Sequence, residues 1–263
     1  MNISDIGAFA IDMDGTVYKG GSPIPGAAGF ISRLRRAGIP FVFLTNNSAH
    51  ARSFYADKLA RMGFDASAGD ILTSTAAAIR FLQTERPGMS VFPLAVPEVE
   101  AEIEEAGIRL DRSGPDIVLL AFDTSITYEK INAAYHHILG GAELIATHPD
   151  ELCPTEGSYD VDIGPFIRMF ESLTGAKALV IGKPDRRMLE MAALETGVPV
   201  ERLAMVGDRM YTDVRMAVDA GATSILVLSG EAKPEDIASS GIEPDFVASS
   251  VADLSDMVEA ASD

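Results

Sequence analysis

The sequence predicts an α/β fold: a parallel sheet covered by helices on both faces, interrupted by a second α/β domain. Three observations carry this. Short apolar runs alternate with amphipathic segments almost to the C-terminus, the pattern of strands joined by helical crossovers. Helical segments close on glycine, as at Gly38 and Gly63, where a left-handed residue ends a helix. The middle of the chain has a different texture, with proline and glycine scattered through a long aperiodic stretch.

Gly7–Ile11 (GAFAI) reads as a buried strand, and Pro25–Ala37 as a helix with Phe30, Ile31 and Leu34 on one face. Ile39–Leu44 is the next strand and Ala51–Met62 the next helix. Toward the C-terminus, Ala178–Ile181, Leu203–Val206 and Ser224–Leu228 are strand-length apolar runs. Helical patterns at Arg186–Thr196 and Met210–Ala220 separate them. In the middle, strands are predicted at Val91–Leu94, Ile117–Phe122 and Leu144–Ala146, with helices at Glu98–Ala106 and Tyr128–Leu139. His148–Gly164 shows no period and is expected to be an irregular binding loop. The implied organisation is a core at residues 1–86, an inserted domain at 87–176 and the rest of the core at 177–263.

A chain of 263 residues is long enough to bury a core without disulfide staples. With 21 basic and 39 acidic residues its net charge is −18. Such a surface repels nucleic acid and anionic membranes, yet a site within it can be locally positive. Cys153 is the single cysteine, which excludes intrachain disulfides, CxxC pairs and cysteine-rich zinc sites. Met1–Asp5 has no basic stretch leading into an apolar one, and no apolar run reaches the roughly 20 residues of a membrane span. The expectation is a soluble cytoplasmic protein.

Four strand exits carry chemistry. Asp12-Met13-Asp14-Gly15-Thr16 follows the first strand, where two carboxylates two residues apart can face one side at the ligand-binding end of a parallel sheet. A solvated Asp-Gly turn is the alternative; the glycine spacing excludes an EF-hand loop. Thr45-Asn46-Asn47-Ser48 ends the second strand and suits phosphate oxygens or simple helix capping. Gly182-Lys183-Pro184 follows a third run and lacks the features of a Walker loop. Gly207-Asp208-Arg209-Met210-Tyr211-Thr212-Asp213 follows a fourth.

Together, and in this order, these stretches resemble the haloacid dehalogenase-like hydrolases, whose motifs are DxDGT, a strand-ending Thr or Ser, a Lys, and GDxxxxD. The match covers both ends of the chain. The position of the insertion further resembles the NagD-like phosphatase branch, whose insertion is an α/β cap of the C2 type. The resemblance implies a Rossmann-like, three-layer core and Mg²⁺-dependent hydrolysis of a small phosphate monoester: a sugar phosphate or nucleoside monophosphate, with p-nitrophenyl phosphate as a laboratory substrate. It implies Asp12 as nucleophile and Asp14 as acid and base. Thr45, Asn46 and Lys183 would hold the phosphoryl group. The metal would be held by Asp12, Asp208 and the Asp14 backbone carbonyl, while Asp213 supports Lys183 or the metal's waters. A homodimer through the cap is also implied. The charges agree: a dianionic ester with Asp12 and Asp208 ionised carries roughly −4, which Mg²⁺ and Lys183 bring to about −1 if Asp14 is protonated.

Alternatives of other kinds are phosphotransfer and a non-hydrolytic aspartyl-phosphate switch. Phosphonate cleavage would need a cap lysine, and residues 87–176 contain Lys130 alone. Where the family often reads T-N-x-D, this chain has Thr147-His148-Pro149-Asp150. Nearby, Asp160 and Asp162 are expected to repel a second phosphate and to bind hydroxyls or an ammonium group. His136 and His137 point in different directions on a helix, and Cys153 lacks a base partner in sequence.

Overall fold

The computed structural model describes residues 5–155 and 157–255. Met1–Ser4, part of the stretch searched for a leader, lies outside them. The chain opens with β1 (Ala8–Asp12), a hairpin of β2 (Tyr18–Lys19) and β3 (Ser22–Pro23), α1 (Ala27–Ala37), β4 (Phe41–Thr45), α2 (Arg52–Arg61) and β5 (Ile71–Thr73). The middle runs through α3 (Ser74–Glu85), β6 (Val91–Leu94), α4 (Pro97–Glu105), β7 (Ile117–Leu120), α5 (Tyr128–Leu139) and β8 (Glu143–Ala146). It continues through β9 (Leu152–Thr155), β10 (Ser158–Val161), α6 (Gly164–Thr174) and β11 (Leu179–Val180). The chain closes with α7 (Arg187–Thr196), β12 (Leu203–Gly207), α8 (Arg215–Ala220), β13 (Thr223–Val227), α9 (Pro234–Ser240) and β14 (Phe246–Ala248).

Two compact units emerge. Among the described residues, the first comprises 5–45, 52–72 and 183–255. Its six-stranded sheet has the order β14-β13-β12-β1-β4-β5, with β1 parallel to both β4 and β12. Every residue of β1, β4, β12 and β13 is buried, as a parallel sheet packed on both faces requires. Phe30, Ile31 and Leu34 of α1 are buried as their spacing predicts, and the Phe30 ring meets Phe9 of β1 edge-on at 5.7 Å. The chain leaves β1 toward β4 and later returns on the other side at β12. The carboxyl ends of β1 and β12 therefore border a topological switch point, where open α/β sheets bind ligands.

The second unit is Asn46–Ala51 and Thr73–Gly182. Its parallel sheet has the order β11-β8-β7-β6, and its core includes Phe92, Leu94, Val118, Leu120, Ile138 and Phe170.

Three expectations are corrected. The run Ala178–Ile181 belongs to the second unit, because β11 pairs with β8 (Leu179 with Ile145, Val180 with Ala146). The two compact units divide the chain at Thr73 and Lys183, while the boundaries after residues 86 and 176 stand as the reading from composition. His148–Gly164 is not an irregular loop throughout: β9 and β10 form an antiparallel hairpin within it. The helix read at Met210–Ala220 begins as a π-helical turn over Met210–Val214 and becomes α-helical only at Arg215. Among the described residues no helix is long and apolar enough to cross a membrane.

Phe30→Ala removes a fully buried ring between α1 and β1. It is expected to cost about 3–5 kcal/mol, measured as the fall in urea midpoint of the transition reporting the first unit.

Candidate active site

Asp12 is the last residue of β1, and its neighbour across the ladder is Leu44 of β4, so Thr45 ends the adjacent strand beside it. Asp208 follows Gly207, the last residue of β12 on the other flank. The sheet register thus places a carboxylate, a hydroxyl and a second carboxylate along one edge. Lys183 enters from the segment after β11, and the π-helical turn at Met210–Val214 carries Asp213. Such wide turns recur at functional sites because they re-aim one side chain within a helical path.

These groups converge. The Lys183 ammonium makes a short ion pair with Asp12 and donates to Asp213 Oδ1 at 2.8 Å. The second Asp12 oxygen accepts from Thr16 Oγ1 at 3.2 Å, and the second Asp213 oxygen from the Arg209 amide at 3.2 Å. Asp208 Oδ2 accepts from the Glu231 amide at 2.7 Å. All four charged side chains are buried.

The electrostatics are unbalanced in a specific direction. Burial pushes the Asp208 carboxyl up, and the Asp12 and Asp213 charges push it further, to about 8. Burial likewise raises Asp213 to about 6, with Lys183 opposing. Burial pulls the Lys183 pKa down, but Asp12 and Asp213 outweigh it and hold it above the ordinary lysine value. Asp14 is raised chiefly by burial; Lys58 opposes this and Asp12 reinforces it. A carboxyl held protonated more readily than usual is suited to donating a proton.

A divalent cation fits this arrangement. Asp12, Asp208 and Asp213 each offer an oxygen, all within 4.8 Å of one another. Asp208 Oδ1 is buried without a hydrogen-bond partner, which is costly unless a ligand completes it. The donors are hard oxygens with no His or Cys, the set preferred by Mg²⁺-like ions over zinc. Gly15 (φ +86°) and Gly230 make room for the Asp208 side chain: a β-carbon at either would overlap its carboxylate.

Asp12, Lys183, Asp208 and Asp213 come together, with Asp14 two residues after Asp12 and Thr45 at the end of the neighbouring strand β4. Asn46 falls in the second unit, where its side-chain amide donates to both Asp150 oxygens at 3.2 and 3.3 Å. Asp162 is buried, and its Oδ1 accepts from His148 Nε2 at 2.8 Å. Asp160 is exposed and borders a cavity of about 290 Å³ in the second unit with Leu94, Phe122 and Ile163. Lys130 is tied to Asp123 at 2.7 Å.

Sequence reasoning missed the loop after β13. Ser229 Oγ donates to the Gly15 carbonyl at 2.7 Å, and Glu231 caps Asp208 through its amide. The signal was present, since Ser229-Gly230-Glu231 also leaves a strand of this sheet. Lys58 of α2 was also missed; its ammonium lies 3.8 Å from the centroid of the Tyr18 ring.

A doubly wound sheet with paired aspartates at one strand exit, a lysine and a second aspartate pair defines a phosphohydrolase-type site. The haloacid dehalogenase-like hydrolase profile matches residues 9–109, and a second HAD-hydrolase-like profile matches residues 180–254. The chain is 32% identical over 227 residues to the 5'-nucleotidase YutF of Bacillus subtilis, covering 86% of this chain and 89% of that one. It is 32% identical over 240 residues to an acid sugar phosphatase of Staphylococcus aureus, covering 91% and 93%. The crystal structure of a 4-nitrophenylphosphatase from Thermotoga maritima superposes with a TM-score of 0.93 at 37% identity, covering 97% and 98%. NagD of Escherichia coli is another structural neighbour. The chain belongs to the haloacid dehalogenase-like hydrolases and is a NagD-like phosphatase with a cap domain.

The raised Asp208 pKa gives a pH test. A carboxyl lifted from 3.8 to about 8 on folding contributes stability below its unfolded value and loses it as pH rises through the folded one. In EDTA, Asp208→Asn is therefore expected to melt increasingly above wild type as pH rises from about 5 to about 8. The same substitution should abolish stabilisation by added Mg²⁺ in the same melts.

Proposed function

We propose that the protein hydrolyses small phosphate monoesters, sugar phosphates or nucleoside monophosphates, through an aspartyl-phosphate on Asp12. The observation that carries this is the Asp12 carboxylate at the switch point of the sheet, paired with Lys183 and beside the unpartnered oxygen of Asp208. The relatives named for nucleotides, sugar phosphates and nitrophenyl phosphate support the same substrate class.

In the first step an Asp12 oxygen attacks phosphorus, and the bond to the ester oxygen breaks as Asp14 gives that oxygen its proton. In the second, Asp14 takes a proton from water as it attacks phosphorus. The Asp12–phosphorus bond breaks and inorganic phosphate leaves. Lys183 neutralises charge at Asp12 throughout, while the Thr45 hydroxyl and Asn46 amide hold the non-bridging oxygens. Asp12, Asp208 and the Asp14 carbonyl would hold Mg²⁺, with Asp213 beside Lys183. The ion supplies positive charge to the phosphoryl oxygens.

Asp160, whose carboxylate has no partner among the described residues, is proposed to set specificity by binding hydroxyl or ammonium groups. Two copies are proposed to associate through the cap, supported by Leu152, Tyr159 and Val161 exposed on the β9–β10 hairpin. A cytoplasmic location accords with the single cysteine.

Phosphate release from a panel of monoesters is expected with Mg²⁺ and not with EDTA. Asp12→Asn should abolish it, and Asp14→Asn should lower kcat by about 10²–10⁴. In sedimentation, Tyr159→Lys should shift the protein toward monomer.

A further inference from the structure

The second unit contains a buried polar hub centred on His148, a residue with no part in the proposed chemistry. Its ring is fully buried. Nε2 faces Asp162 Oδ1 at 2.8 Å; a carboxylate oxygen only accepts, so this nitrogen carries the proton. Nδ1 lies 3.0 Å from Thr147 Oγ1 and 3.4 Å from Ser48 Oγ. Those two hydroxyls are themselves 3.0 Å apart, and Ser48 also accepts from the Phe122 amide at 2.8 Å. Asp162 Oδ1 accepts a second bond from the Ile163 amide at 2.7 Å.

Four chain segments meet at this hub. Asn46–Ser48 is held by Ser48 and by the Asn46–Asp150 contacts. The 162–164 segment is held by Asp162 and by the Gly164 amide, which donates to the Asp150 carbonyl at 2.8 Å. Gly182 donates to the Thr147 carbonyl at 2.8 Å, and a β-carbon there would overlap both that carbonyl and Asn46 Oδ1. The fourth segment, 147–150, joins the others. Two of the held residues adjoin active-site groups: Asn46 follows Thr45, and Gly182 precedes Lys183. His148, Asp150 and Asp162 lie close enough to hold an ion, but each already has a protein partner, so the cluster reads as a hydrogen-bonded hub.

We infer that His148 is a positioning residue for the phosphatase reaction. Anchored by Asp162, it fixes the backbone of Asn46–Ser48 and Gly182, and through them the aim of the Asn46 amide and the Lys183 ammonium. Removing the ring leaves Asp162 buried and short of a partner and frees both segments. Sub-ångström drift of a phosphate-holding group lowers the rate without touching the chemistry. This inference rests on the proposed role of Asn46 and Lys183 in holding phosphate.

The test compares His148→Asn, Asp162→Ala, Asp162→Asn and the double variant His148→Asn/Asp162→Ala, using p-nitrophenyl phosphate and inhibition by inorganic phosphate. His148→Asn and Asp162→Ala should each lose about 10–100-fold in kcat/KM, with phosphate inhibition weakened in parallel. The double variant should be no worse than its poorer parent, since both break one hub. Asp162→Asn keeps an acceptor for Nε2 and should stay within about threefold of wild type, the rescue that a positioning bond predicts. Lower melting temperatures with unchanged kinetics per folded molecule would overturn the inference, as would losses that multiply in the double variant. If His148→Asn fails to fold, the pair Asp162→Ala and Asp162→Asn decides it: equal kinetics overturn it. Wild-type protein that releases no phosphate from any ester would instead sink the functional reading itself.

Discussion

The contact of the Lys183 ammonium with Asp12 and Asp213 is the constraint on which the site depends. Three carboxylates are packed where water cannot solvate them, and a buried charge without a partner is among the costliest features a fold can carry. One lysine relieves two of them. Asp208 is left with one satisfied oxygen and one bare one, and its raised pKa is the electrostatic expression of that deficit. The glycines beside it follow from the same crowding, since a β-carbon at Gly15 or Gly230 would overlap the Asp208 carboxylate. The cluster is therefore one whose crowded negative charge a divalent cation would balance.

The sheet order explains why these charges can be assembled from such distant residues. Asp12 ends β1 and Asp208 directly follows β12; though far apart in sequence, they meet because those strands are hydrogen-bonded neighbours. Parallel strands end together, so one edge collects the residue after each strand, and helices depart from that edge with their amide ends pointing at it. Burial of both sheet faces fixes the register, because a one-residue slip would turn Phe9 and Ile11 away from their core. Hydrophobic packing thereby sets which side chains emerge together at the sheet's edge.

This logic also decides what was legible in the sequence. Asp12, Asp14, Thr45, Lys183 and Asp208 were readable because each follows an apolar run, and the run predicts where the side chain emerges. The helix α3 was not, because Ser74–Ile79 is buried on all sides and an element without a polar face has no amphipathic period. The run at 178–181 was visible as a strand, but its sheet was not: pairing with β8 is a tertiary choice that local composition does not encode. Asp162 shows the same limit at one residue. An aspartate in a polar stretch looks solvent-facing until His148, fourteen residues earlier, proves to be its partner. The loop Ser229–Glu231 was overlooked because its contribution is a serine hydroxyl on a backbone carbonyl, a backbone amide and a bare glycine, none of which a charged motif records.

The charge of the chain gains its meaning at the same site. At −18 the surface as a whole opposes an anionic substrate, but exposed charges are screened within about 8 Å at physiological ionic strength. The cations gathered at this edge of the sheet are Lys183, paired with Asp12 and Asp213, and Lys58 and Arg209, close enough to act on the Asp14 carboxyl. These cations are held in place: Lys183 by two aspartates, Lys58 against the Tyr18 ring, and Arg209 by Glu231 at 2.9 Å. Fixed charges in a partly desolvated site outweigh a diffuse surface field. An acidic protein can therefore bind phosphate without surrendering the net charge that keeps polyanions such as nucleic acid away.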